Sequence, residues 1–98
     1  MQIHIVGVSH PNPSGPTRQE LLARAEPGQV VWLEREPQNP YDPNAIIVKV
    51  AHGQIGYVPR AVAARLCADG RIPDSGHIFA LFGGTPGKPT YGAIIEIE

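Results

Sequence analysis

The sequence predicts a mainly β fold in which six short strands close into a small barrel carrying two short helices. Three observations lead there. The 98 residues suffice for one hydrophobic core and not for two. Apolar runs are short and rich in β-branched residues, as strands are. Eleven prolines and eleven glycines fall between those runs, and so punctuate them, without forming a low-complexity tract.

The first run, Gln2 to Val8, alternates early and reads as a strand, ended by the breaker cluster Ser9-His10-Pro11-Asn12-Pro13-Ser14-Gly15-Pro16. Thr17 followed by Glu20 fits a capping box, in which hydroxyl and carboxylate satisfy orphan backbone N–H groups. A helix is therefore expected from Arg18 to Ala25, ended by Pro27-Gly28, with Leu21, Leu22 and Ala25 as its buried stripe. Gln29 to Arg35, Ala45 to Val50 and Gln54 to Val58 read as three further strands, the last two joined by a hairpin turn at Ala51-His52-Gly53. Trp32 is assigned to the core.

Pro59 suits the first turn of a second helix and Gly70 its C-terminal cap, with Val62, Leu66 and Cys67 facing the core. After a turn at Ile72-Pro73-Asp74-Ser75-Gly76, His77 to Phe82 and Tyr91 to Glu98 complete the strands around a Gly/Pro loop that holds Lys88. Strands this short usually close into a barrel, which removes exposed edges, so an OB-like or SH3-like barrel is the expectation. No repeat or linker divides residues 1–98, which read as one domain.

The formal net charge of −1 argues against a broad basic surface of the kind that grips long duplex through its phosphates. No apolar run approaches the roughly 18 to 20 residues of a membrane span, and the first residues lack the pattern of a secretory signal. A cytoplasmic domain without a membrane partner is the expectation. Cys67 is the one cysteine, so no internal disulfide forms, and it reads as a small, partly buried hydrophobe. His4, His10, His52 and His77 are scattered without metal-ligand spacing, so neither a metal nor a cofactor is expected. Gly83 to Pro89 superficially suggests a phosphate loop, but Pro89 stands where Ser or Thr is required. Ser9, His10 and Asp42 make no convincing triad, since Ser9 sits in no nucleophile elbow. The domain is therefore read as a non-enzyme.

The most informative stretch holds Arg35-Glu36-Pro37, Asn39-Pro40-Tyr41-Asp42, Asn44-Ala45-Ile46 and Ile55-Gly56-Tyr57-Val58-Pro59, preceded by Val6-Gly7-Val8. In that order and spacing these motifs closely resemble the HIRAN domain family, whose members include the N-terminal modules of SWI/SNF-type helicases and stand-alone bacterial proteins. The resemblance covers residues 3 to 69 and the remainder loosely. It implies an OB-like barrel with a pocket for the 3′ end of single-stranded DNA. By motif, Tyr41 supplies an aromatic wall, Asp42 a carboxylate near the terminal hydroxyl, and Tyr57 and Arg60 face the DNA backbone. Phe82-Gly83 is the nearest match to a late Phe-Gly that encloses a base. The family's ATPase chemistry belongs to helicase segments and does not carry over.

One position departs from the pattern: Ser9-His10 stands where DNA-binding members have a basic-aromatic pair. His10 retains a ring that can stack on a base, but a cation beside the phosphates is missing, which implies weaker binding or a different ligand.

Base stacking tolerates any base, so Tyr41, Tyr57 and Phe82 would make a sequence-tolerant platform. A carboxylate accepts a hydrogen bond from a hydroxyl and repels a phosphate, so Asp42 would select a free 3′-OH. Arg60, in the first turn of a helix, would combine its charge with free backbone N–H groups to hold a phosphate. Arg35 and Lys88 are weaker phosphate candidates, and Arg35 is expected to pair with Glu34, Glu36 or Asp42. Each has a structural alternative: Asn-Pro-Tyr-Asp as a tight turn, Tyr57 and Phe82 as core, Arg60 as plain surface. Two functions follow: a DNA 3′-end module acting in repair or replication-fork handling beside a helicase or nuclease on another chain, or a protein-interaction barrel that keeps the scaffold without binding DNA.

Overall fold

A computed structural model describes all residues, Met1 to Glu98. In chain order the elements are β1 (Gln2–His4), α1 (Arg18–Ala23), β2 (Val30–Arg35), β3 (Ile46–Val50), β4 (Gly53–Tyr57), α2 (Arg60–Asp69), β5 (Ser75–Phe82) and β6 (Gly92–Ile97). The predicted six strands and two helices are therefore present. They form one antiparallel sheet in the order β1-β6-β5-β2-β3-β4.

The sheet curls until its two edges meet. Just beyond β1, Val6 and Tyr57 form an isolated antiparallel bridge, with Val6 N–H donating to Tyr57 O at 2.9 Å and Tyr57 N–H to Val6 O at 2.8 Å. Gly56 permits this approach, because a Cβ there would lie 2.6 Å from the Val6 carbonyl oxygen. The result is a barrel-like sheet fastened along that seam by a single residue pair.

Inward positions fill the core: Ile3 and Ile5, Val31 and Leu33, Ile46, Val48 and Val50, Ile55, Ile78, Ile95 and Ile97. Leu21 and Leu22 of α1 and Ala63 and Leu66 of α2 complete it, with Ala25, Val62 and Cys67 partly buried against it. The capping box forms as predicted, Glu20 N–H donating to Thr17 Oγ1 at 3.0 Å and Thr17 N–H to Glu20 Oε1 at 3.2 Å. Gly70 caps α2 in the left-handed region, at φ 67°.

Several boundaries differ from the sequence reading. β1 ends at His4, because Gly7 at φ 70° turns the chain once the Val6 bridge is made. α1 stops at Ala23 with Arg24 as its cap. Ser75 and Gly76 belong to β5, and Gly53 to β4, where turns are expected. Trp32 is not core but 46% exposed. Strand alternation decides this: Val31 and Leu33 on either side are buried, and Trp32 shares the outer face with Val30.

Candidate nucleic-acid interface

A cavity of about 580 Å³ opens beside the seam, within the roughly 300 to 1,000 Å³ range of ligand pockets. Four stretches of chain build it: Val6 to Pro11 after β1, the start of α1, the β2–β3 connection, and the end of β4 running into α2. His10, Tyr41, Asp42, Tyr57 and Arg60 all line it. Five residues singled out from the sequence thus converge, although they lie up to fifty positions apart.

The β2–β3 connection owes its shape to Asn39. Its Oδ1 accepts from the N–H groups of Tyr41 at 2.8 Å and Asp42 at 3.0 Å, an Asx turn of the expected kind. Asp42 Oδ1 then accepts from Asn44 N–H at 2.9 Å. The turn expected of Asn-Pro-Tyr-Asp therefore forms, and it projects the Tyr41 ring outward, 86% exposed, and tucks Asp42 into the cavity wall. Arg60 reaches across from α2, its Nε 3.9 Å from Asp42 Oδ2 and its Nη2 3.4 Å from Tyr41 O. With its side chain 78% exposed, Arg60 remains available at the rim.

Two cavity residues escaped sequence reasoning. Glu36 Oε1 accepts from the Tyr57 hydroxyl at 2.9 Å and from Asn39 Nδ2 at 2.6 Å, so this carboxylate braces both the aromatic wall and the turn. Arg18, only 6% exposed, is the one charged residue among the buried set. Its Nε donates to Asn12 Oδ1 at 2.9 Å and its Nη1 to Gly7 O at 2.8 Å, and the guanidinium lies 5.4 Å from the centre of the Tyr57 ring. One signal was readable: Arg18 stands three and four residues before Leu21 and Leu22, on their helix face.

The remaining candidates lie elsewhere. Phe82 does not line the cavity; its ring lies edge-on to His4, 4.9 Å between centroids, with Lys88 Nζ 4.8 Å above it. Lys88 sits in the β5–β6 loop, which Thr85 and Lys88 close with reciprocal backbone hydrogen bonds. Arg35 is exposed outside the cavity, and the pairing expected for it does not occur: Glu34 instead binds Lys49 at 3.1 Å, and no carboxylate lies within 4.0 Å of Arg35. No three His, Cys, Asp or Glu side chains gather as a metal cluster, and no helix is long and apolar enough to cross a membrane.

Comparison with known proteins bears on this site. The HIRAN domain model matches residues 1–69. The helicase-like transcription factors of Oryctolagus cuniculus and Mus musculus are each 51% identical to this chain, over 39 and 37 residues. Those stretches are 39% and 37% of this chain but 4% of either relative, so the match spans a small part of their length. The crystal structure of the HIRAN domain of human HLTF aligns with 97% of this chain and 71% of its own, at a TM-score of 0.62 and 24% identity. A protein from Lactobacillus plantarum aligns with 97% of this chain and 92% of its own, at a TM-score of 0.65 and 24% identity. At that identity the likeness to the solved structures concerns the fold.

Proposed function

Because the chain belongs to the HIRAN domain family, matched over residues 1–69, we propose that it is a DNA-binding module whose cavity takes the 3′ end of a single strand and tests for a free 3′-hydroxyl. The observation that carries this reading is the convergence of Tyr41, Asp42, Tyr57, Arg60 and His10 on one cavity. Tyr41 and Tyr57 offer faces for bases, and stacking on such faces contributes about 1 to 3 kcal/mol per base whatever the base. Asp42 Oδ2 accepts no hydrogen bond shorter than 3.5 Å from the protein, its nearest cation being Arg60 at 3.9 Å, so it is free to accept one from a sugar hydroxyl. A 3′-phosphate would bring negative charge against that carboxylate and be refused.

The cavity's charges also set the scale of binding. Arg18 and Arg60 face Glu36 and Asp42 there, so few phosphates can be neutralised and affinity should depend on salt only shallowly. Such a module reads an end rather than a sequence. Its work would lie in repair or at replication forks, alongside a helicase or nuclease.

The decisive measurement is fluorescence anisotropy at low salt on a 5′-labelled single strand ending in a 3′-OH or a 3′-phosphate. Wild type should prefer the hydroxyl, and Asp42→Ala should lose the preference. Equal affinity of wild type for both ends would remove Asp42's role, and binding to neither would remove DNA as the ligand.

A second reading, a protein-interaction barrel, draws on the opposite face of the sheet. Val30, Trp32 and Phe79 are 46–48% exposed there, and a contiguous apolar patch on an outer sheet face is where a partner protein would dock. Trp32→Ser should leave 3′-end binding intact if the cavity is the functional surface.

A further inference from the structure

The sequence departs from the family pattern by lacking a cation after Gly7, yet a guanidinium lies against that glycine. It comes from α1: Arg18 Nη1 donates to Gly7 O at 2.8 Å, and a Cβ on Gly7 would stand 3.4 Å from the same nitrogen. We propose that Arg18 holds one backbone phosphate of the DNA end, gripping it from the cavity floor beside Tyr57. The inference rests on the 3′-end reading of the cavity.

Burial of a permanent charge is the first argument. Arg18 is 94% removed from solvent by its 6% exposure, and an arginine cannot shed its proton to escape the cost. A buried charge is ordinarily paired with an opposite one. Arg18 has no such partner, since the three ion pairs of the molecule are Met1–Glu96, Lys49–Glu34 and Arg60–Asp42. Its acceptors, Asn12 Oδ1 and Gly7 O, are neutral dipoles that orient the group without cancelling its charge. The Tyr57 face at 5.4 Å offsets part of the cost.

Geometry is the second argument. Neither hydrogen bond uses Nη2, and no fully enclosed side-chain nitrogen or oxygen lacks a partner. Nη2 therefore keeps some exposure, in a residue that lines the cavity, and is left with its hydrogens to donate. A guanidinium fixed by two bonds at its rear, with donors toward a pocket, is pre-ordered for the non-bridging oxygens of a phosphate. Arg60 stands at the rim, so the two cations would hold the strand at different depths.

The competing role is a clamp: Arg18 could serve only to tie the loop at Asn12 and Gly7 to α1. The two roles separate when the charge is removed from the DNA instead of the protein. The full chain would be titrated with 5′-labelled single strands ending in a 3′-OH, either unmodified or carrying one neutral methylphosphonate at the first, second or third linkage from the end. At one of these linkages wild type should lose on the order of tenfold or more in affinity, as expected for a charge-assisted bond. Arg18→Gln should lose a similar factor on unmodified DNA, become insensitive to that same linkage, and show a salt slope smaller by about 0.7, one phosphate's worth. Arg18→Lys, which keeps the charge, should recover part of the affinity.

If no neutral linkage affects wild type, or if the losses from Arg18→Gln and from the modified linkage multiply, Arg18 is a clamp and the proposal falls while the 3′-end reading stands. Failure of wild type to bind the unmodified strand removes both. Thermal melts of the variants give the stability cost separately.

Discussion

Tyr57 donates its hydroxyl to Glu36 Oε1 at 2.9 Å, tying the last residue of β4 to the first residue after β2 across the cavity floor. On its other side the same ring faces the Arg18 guanidinium. One side chain thus sits between a carboxylate and a cation, with the backbone on which it is mounted forming the barrel seam. Tyr57→Phe should lower stability by about 1 kcal/mol, a typical net hydrogen bond, in urea unfolding. Because the ring remains, DNA-end affinity should change little, whereas Tyr57→Ala should lose about 1 to 3 kcal/mol of binding.

Tyr41 offers the cleanest separation of folding from binding. Its ring is 86% exposed, and the turn beneath it is held by Asn39 rather than by Tyr41's own side chain. Tyr41→Ala should shift stability by no more than about 0.5 kcal/mol and weaken end binding by about 1 to 3 kcal/mol. A thermal melt paired with an anisotropy titration reads both.

Gly56→Ala tests the seam. The added methyl would meet the Val6 carbonyl at 2.6 Å, and that oxygen belongs to backbone already hydrogen-bonded to Tyr57. Overpacking of this kind costs about 1 to 3 kcal/mol. Amide exchange should quicken first at Val6 and Tyr57, while the β2–β3 ladder keeps its protection.

Acid should loosen α1. The Thr17 backbone N–H, and after it the Thr17 hydroxyl, hold the Glu20 carboxyl below the usual carboxylate range. A lowered folded value means that this stabilisation is present above the unfolded carboxylate pKa, about 4.3, and is lost as the pH falls through the folded value. Thr17→Ala should raise the Glu20 titration midpoint, seen by NMR, and cost about 1 kcal/mol of stability at neutral pH.

What the sequence discloses and what it hides divide along physical lines. The capping box at Thr17 and Glu20, the Gly70 cap and the alternating strands depend on neighbours a few residues away, and they are legible. Trp32 was misassigned by its size, although the parity set by buried Val31 and Leu33 points it outward. Of the site, Tyr41, Asp42, Tyr57 and Arg60 were found through their motifs. Arg18 was not, because its burial depends on the loop folding back until Asn12 and Gly7 present their oxygens to it. Glu36 stands in the Arg-Glu-Pro motif, but its bond to Tyr57 spans 21 residues and two strands. Phe82 is grouped with the cavity by motif alone, and the pairing of β5 with β6 and of β6 with β1 sets its ring beside His4 instead.

Every residue lining the cavity falls within Val6 to Arg60, while β5 and β6 add Ile78, Ala93, Ile95 and Ile97 to the core and join β1 to β2 through the sheet. The cavity wall and the strands that link the two halves of the sheet thus come from successive stretches of one chain. Apart from Tyr91, whose backbone holds the Gln19 side chain of α1, these strands contribute packing, so they can exchange one set of apolar side chains for another of equal volume without altering the cavity wall. A change at Arg18, Glu36 or Tyr57 has no such freedom, since these side chains tie loops and strands together and line the cavity as well.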